Sequence, residues 1–250
     1  MRTLVLLTIA LSCSISRNVL AQQPQQAGAV KLYRYGDLLT EHGIALTEPA
    51  LLNALKNPDA SIRYLAAMKL AEDKLTDAIP AMEQALLVEK SPRARVNIAL
   101  ALALLGDQVG SRELKKICAD KNFIPEFRLY AVRYLFQLHA PKDEECLKAT
   151  EDTVESQNAN FGDLTSALEL LTQFHDLTEE ESRNVLKLAA SRLEDPEPVV
   201  RMAASHSLAG LGNAAAAPYL KVAITKEQDE SVRSVLQNDL EKLRRISENE

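Results

Sequence analysis

Glu194-Asp195-Pro196-Glu197-Pro198-Val199-Val200-Arg201-Met202-Ala203-Ala204 reads as a Pro-rich turn that runs straight into an amphipathic helix. The phrase returns as Asn57-Pro58-Asp59-Ala60-Ser61-Ile62-Arg63-Tyr64-Leu65-Ala66-Ala67 and as Gln228-Asp229-Glu230-Ser231-Val232-Arg233-Ser234-Val235-Leu236. Weaker copies centre on Arg95 and Arg128, so arginines stand at 63, 95, 128, 201 and 233, with Thr165 in the arginine place of a degenerate copy. A second series, Pro49, Pro80, Arg112, Glu145, Ser182 and Pro218, opens further apolar-periodic stretches. Each arginine place before the last, Thr165 included, precedes the next member of that series by 17 residues, whereas the spacing inside a unit varies from 14 to 20. A fixed register broken by insertions in one kind of turn is the mark of stacked helix pairs, each a helix A, a turn and a helix B.

Working outward, the chain has 250 residues with 46% hydrophobic, 26% charged and 4% aromatic side chains, no Trp, 40 Leu and 34 Ala. Leu and Ala are strong helix formers. The expected fold is all-α, an α-α superhelix of about six two-helix repeats over 48–246. Its helices are short enough to be marginal alone, so packing between neighbours must hold them. The net charge of −6 offers no long-range attraction to phosphate backbones or anionic lipid, and nucleic acid is not an expected partner.

The pattern Asp-Pro-Asp/Glu, then Val/Ile-Arg, Ala-Ala and a later Leu-Gly, with Pro opening helix A, resembles the HEAT repeat, in the short form found in phycobilisome lyases. The resemblance implies an α-solenoid with helix B on the concave side. It also implies a ladder of turn aspartates and helix-B arginines between neighbouring repeats, here Asp59, Arg63, Arg95, Arg128, Asp195, Arg201, Asp229 and Arg233. The same residues could instead form a charged binding groove; inter-repeat bonding and helix capping by Asp are the simpler reading.

At the N-terminus, Met1 and Arg2 precede an apolar run from Leu4 to Ile15, followed by Val19-Leu20-Ala21. This reads as a signal peptide over 1–21, cleaved after Ala21, that exports the chain to the periplasm or outside the cell. The run is shorter than the roughly 20 residues a membrane-spanning helix needs. Lipid attachment at Cys13 is the alternative. Residues 22–30 read as a flexible leader, 31–47 as a partial helix or cap, and 247–250 as a tail. Cys118 and Cys146 are expected as two separate buried thiols rather than a bonded pair.

Catalytic patterns are sparse. His42, His139, His175 and His206 fall in different units, with no HExxH, no His-Glu dyad and no Cys-His metal spacing. There is no GxSxG, P-loop or GxGxxG, so no cofactor and no metal are expected. Aromatics instead concentrate at Phe123, Phe127, Tyr130, Tyr134 and Phe136. Tyr130, Arg133, Tyr134 and Gln137 fall on one helix face, and Tyr and Arg are frequent interface anchors. They read either as a partner-binding face or as bulky core beside the irregular fourth unit. Asp239, Glu241, Lys242, Arg244 and Arg245 are expected to give the last helix a polar outer face. The reading that results is an exported, non-enzymatic scaffold for a protein partner. The alternatives are a lyase-like enzyme related to bilin lyases, or an accessory subunit of a membrane-associated complex.

Overall fold

The computed structural model describes residues 34–247. The expected signal peptide and leader, Cys13 among them, lie outside the described residues, as do residues 248–250. A short helix, α1 (Tyr35–Glu41), comes first. Six helix pairs follow: α2 (Glu48–Ala54) with α3 (Ala60–Glu72), α4 (Ile79–Val88) with α5 (Pro92–Leu104), and α6 (Gln108–Ala119) with α7 (Pro125–Gln137). Then come α8 (Glu144–Glu155) with α9 (Phe161–Leu171), α10 (Glu179–Ser191) with α11 (Pro198–Gly210), and α12 (Ala217–Lys226) with α13 (Glu230–Ser247). The described residues are all-helical, an α-solenoid.

Local chemistry sets these bounds. Pro49, Pro80 and Pro218 sit in the first turns of α2, α4 and α12, where a missing N–H loses no partner. Side chains of Asp59, Ser91, Asp107, Asp143, Asn160 and Thr178 accept from free N–H groups at the starts of α3, α5, α6, α8, α9 and α10. The ends of the B helices share one device. Lys74, Gly106, His139, Asp176 and Gly212 all have positive φ, between 52° and 84°. Each lies eleven residues after its arginine place, and Asp176 does so after Thr165, so the irregular unit keeps the register.

Packing forms two rows. Successive B helices, α3 through α13, approach one another along the whole row, while comparable approaches among the A helices are confined to α6, α8 and α10. The B row is therefore the more continuously packed of the two. Between the rows runs a continuous core that includes Leu70, Met82, Ile98, Leu102, Leu114, Leu168, Leu171 and Leu208, all fully buried. Gly110 lets α6 close onto α5: a Cβ there would meet the Ala99 carbonyl oxygen at 2.3 Å.

The two cysteines correct the sequence expectation. Cys118 and Cys146 form a disulfide across 28 residues, their Cα atoms 5.2 Å apart. Helical periodicity places each on a buried face but does not show that the end of α6 and the first turn of α8 adjoin in the stack. The bond ties α6 to α8, on either side of the helix that carries Arg128.

Candidate partner-binding face

The arginine series defines the frame on which any surface is displayed. Arg63 Nε and Nη2 donate to the two oxygens of Glu89 at 2.6 and 2.7 Å, and Nη1 donates to the carbonyl of Asn57 at 2.7 Å. Arg201 repeats this with Glu227 at 2.7 and 3.0 Å and the carbonyl of Asp195 at 2.9 Å. Arg95 donates to Glu113 at 2.7 Å and to the Glu89 carbonyl, and Arg233 donates to the Glu227 carbonyl. Glu89 and Glu227 therefore join consecutive units: the carboxylate holds one arginine while the main-chain carbonyl holds the next.

Arg128 differs from the others, donating to the carbonyl of Cys118 at 2.8 Å. The turn aspartates are not the arginines' carboxylate partners. Asp59 and Asp229 accept from the N–H of Ser61 and Ser231, and Asp195 accepts from Glu197 N–H and from Arg192. With Thr165 in the arginine place, Arg192 takes over in the fourth unit, donating to the carbonyls of Val154 and Ser156 and so fixing the end of α8.

On this frame the open side of the B row carries an aromatic surface. Tyr130 is 37% exposed, and its ring stacks on that of Tyr134 at 6.3 Å with 19° between planes. Tyr134 is half-buried, and its hydroxyl donates to Asn97 on α5 at 3.0 Å. Arg133 is bound in a two-pronged pair to Glu169 on α9, at 3.2 and 3.0 Å, and Gln137 is exposed at the end of α7. All four residues named from the sequence thus share the open face, while Ala131 and Leu135 of the same helix are buried in the core.

The structure adds members that periodicity within one helix could not supply. The Arg93 guanidinium stands 5.7 Å above the Tyr64 ring, a cation–π contact between α5 and α3. Burial raises the Tyr134 phenol above its usual range, with Tyr35, Tyr130 and Tyr64 close enough to raise it further. Four of the chain's six tyrosines therefore gather here from α1, α3 and α7. Their signal in the sequence was column position: Tyr64, Arg93 and Asn97 lie within two residues of an arginine place.

One further polar group departs from the sequence reading. Asp239, expected on a polar outer face, is buried and accepts from Ser205 Oγ at 2.6 Å, with His206 Nδ1 3.0 Å away. The oxygen that accepts from the serine also lies 2.8 Å from the imidazole Nδ1, so one carboxylate holds both side chains. The group joins α11 to α13. Among the described residues, the Cys118–Asp143–Cys146 group alone converges closely enough to hold a metal, and its sulfurs are bonded to each other. No described helix is long and apolar enough to cross a membrane.

Comparison with known proteins agrees with this architecture. The HEAT-repeat family model matches residues 48–135 and 165–241, and the chain belongs to that family. The unmatched stretch between them holds α8 and Cys146, and it ends just before Thr165, where the arginine is missing. No curated protein matches the chain. Solved structures similar to it include an engineered protein, at 21% identity over 78% of this chain and 96% of that one, with TM-score 0.45. The complex of CpcE and CpcF of phycocyanin lyase from Nostoc sp. PCC7120 is similar at 22% identity, 78% and 76% coverage and TM-score 0.47. Human deoxyhypusine hydroxylase is similar at 15% identity, 84% and 77% coverage and TM-score 0.41. Likenesses of this size say nothing of activity.

Proposed function

We propose that this protein is an exported scaffold that holds a segment of a protein partner against the open face of its B row, without catalysis. The observation that carries the reading is the gathering of Tyr35, Tyr64, Tyr130 and Tyr134 with Arg93 along the stacked B helices. Tyrosine and arginine supply large contact area and directed hydrogen bonds, and they dominate interface energetics. Stacked repeats offer such surfaces as extended concave faces. Export draws support from the apolar run before Ala21 and from the disulfide, since disulfides persist in oxidising compartments.

The test is to express the full chain with a C-terminal tag in cells of its source, crosslink, fractionate, and identify the mature N-terminus and the captured protein by mass spectrometry. Expected is a chain beginning at Gln22, outside the cytoplasm, with one specific partner whose capture is lost in Tyr130→Ala/Tyr134→Ala. A chain that retains Met1 in the cytoplasm would overturn export. Unchanged capture by the double variant would overturn the assigned face.

A further inference from the structure

We infer that the cavity between the first turns of α7 and α9 receives the cationic side chain, lysine or arginine, of an extended segment of that partner. This rests on the open B-row face being the binding surface and adds the chemistry of what it selects. The cavity measures about 330 Å³ and is lined by Glu126, Leu129, Tyr130, Arg133, Asp163 and Ser166 among others. That is the small end of the range for ligand pockets, suited to one long side chain rather than a cofactor.

Its charges are unbalanced. Arg133, the one cation in the lining, is committed to Glu169 through both prongs of its guanidinium. Glu126 stands close enough to Tyr130 to raise its phenol above the usual range, and Asp163 accepts from the amide of Asn160 at 2.8 Å. Neither carboxylate has an ion-pair partner among the described residues. Both stand in the first turn of a helix, where the helix dipole favours an acid. Yet burial, and then the Glu126 charge, raise the Asp163 carboxyl above its usual range.

A cation entering between the two would remove that repulsion. Tyr130 borders the same space and brings an aromatic ring, which attracts ammonium and guanidinium groups, next to the two carboxylates. A metal ion fits less well, because the two carboxylates are not part of any described group whose ligand atoms converge closely enough to chelate one. Arg93, exposed and stacked on Tyr64, remains available on the same face for a carboxylate of the segment.

The experiment measures binding of the full oxidised chain to an array of short extended peptides in which each position is varied in turn through Lys, Arg, norleucine and Glu. Expected is one position at which Lys or Arg is preferred over norleucine by about tenfold or more, the scale of a charge-assisted contact. In Glu126→Gln/Asp163→Asn that preference disappears while the melting temperature is kept. Peptides that bind through Tyr130 and Tyr134 with no cation preference, or with a preference the variant retains, would overturn this inference and leave the scaffold reading standing. Absence of binding by every peptide would overturn both.

Discussion

Arg201 and Glu227, 26 residues apart, meet through two parallel hydrogen bonds, and Arg63 and Glu89, also 26 apart, repeat the arrangement at the other end of the solenoid. In each pair the glutamate also accepts from two main-chain N–H groups of its own turn, those of Lys90 and Ser91 or of Gln228 and Asp229. A carboxylate satisfied this fully can be buried without a large desolvation cost. Arg201→Ala is expected to cost about 2–3 kcal/mol, because it strands a buried charge. Glu227→Ala should cost a similar amount, and the double variant much less than the sum. Urea unfolding of the three variants checks this, and additive losses would show that the pair does not act as a unit.

Acid stability follows from the same pairs. Burial alone would raise Glu89, but Arg63, the N–H groups of Ser91 and Lys90 and the arginine charge outweigh it and leave its carboxyl below the ordinary 4.5. The Arg201 hydrogen bond leads the causes that lower Glu227, against an opposing burial effect. A carboxyl lowered on folding contributes stability that is complete above its unfolded value and lost as pH falls through the folded one. Stability should hold above about pH 5 and fall as the pH drops below the ordinary carboxyl range. Glu89→Gln/Glu227→Gln should flatten that fall in a series of thermal melts.

The shared left-handed residue after each B helix gives a test of opposite signs. Lys74, with φ 57°, adopts a conformation that costs a residue with a Cβ about 1 kcal/mol or more. Lys74→Gly is expected to be stabilising by up to about 1 kcal/mol, offset in part by greater freedom of the unfolded chain. Gly106→Ala, at φ 84° with open space around it, should destabilise by about 1 kcal/mol from the backbone alone. Equal effects from the two substitutions in denaturant melts would contradict a common role for the column.

Cys118–Cys146 closes a loop that includes α7 and ties α6 to α8. Chain-entropy arguments give about 3–4 kcal/mol for a loop of this length. Cys118→Ala/Cys146→Ala, or reduction, should lower the melting temperature accordingly. Thiol titration of the unfolded, unreduced protein should find neither cysteine free, and two reactive thiols would contradict the bond.

Fold class and register were legible from the sequence because they rest on one-dimensional facts: the arginine places, the Pro-opened helices and the constant offset between them. Tyr130, Arg133, Tyr134 and Gln137 were legible as a face because they share one helix. Glu89 and Glu227 were not, since a carboxylate at the end of helix A gains its meaning from an arginine 26 residues earlier. Their common position, six residues before Arg95 and Arg233, was the available clue. Asp239 and the disulfide were misread for a similar reason: helical periodicity gives the direction of a side chain but not the neighbour it meets across the stack.

On the aromatic face, Tyr130→Ala should change stability by about 1 kcal/mol, as expected for a side chain that keeps 37% of its surface exposed. Tyr134→Ala, which loses the bond to Asn97 and some packing, should cost about 1–2 kcal/mol and leave the fold intact by circular dichroism. Collapse of the fold in either variant would assign these tyrosines to the core.

The most direct test is a photo-crosslinking amino acid placed at Tyr130 on the open face of the B row or, as a control, at Leu87 on α4, which is 73% exposed. With the full chain made in cells of its source, the account predicts a single discrete adduct from position 130 and none from position 87. An adduct from 87 with none from 130 would contradict it, and would move the binding surface to the A row.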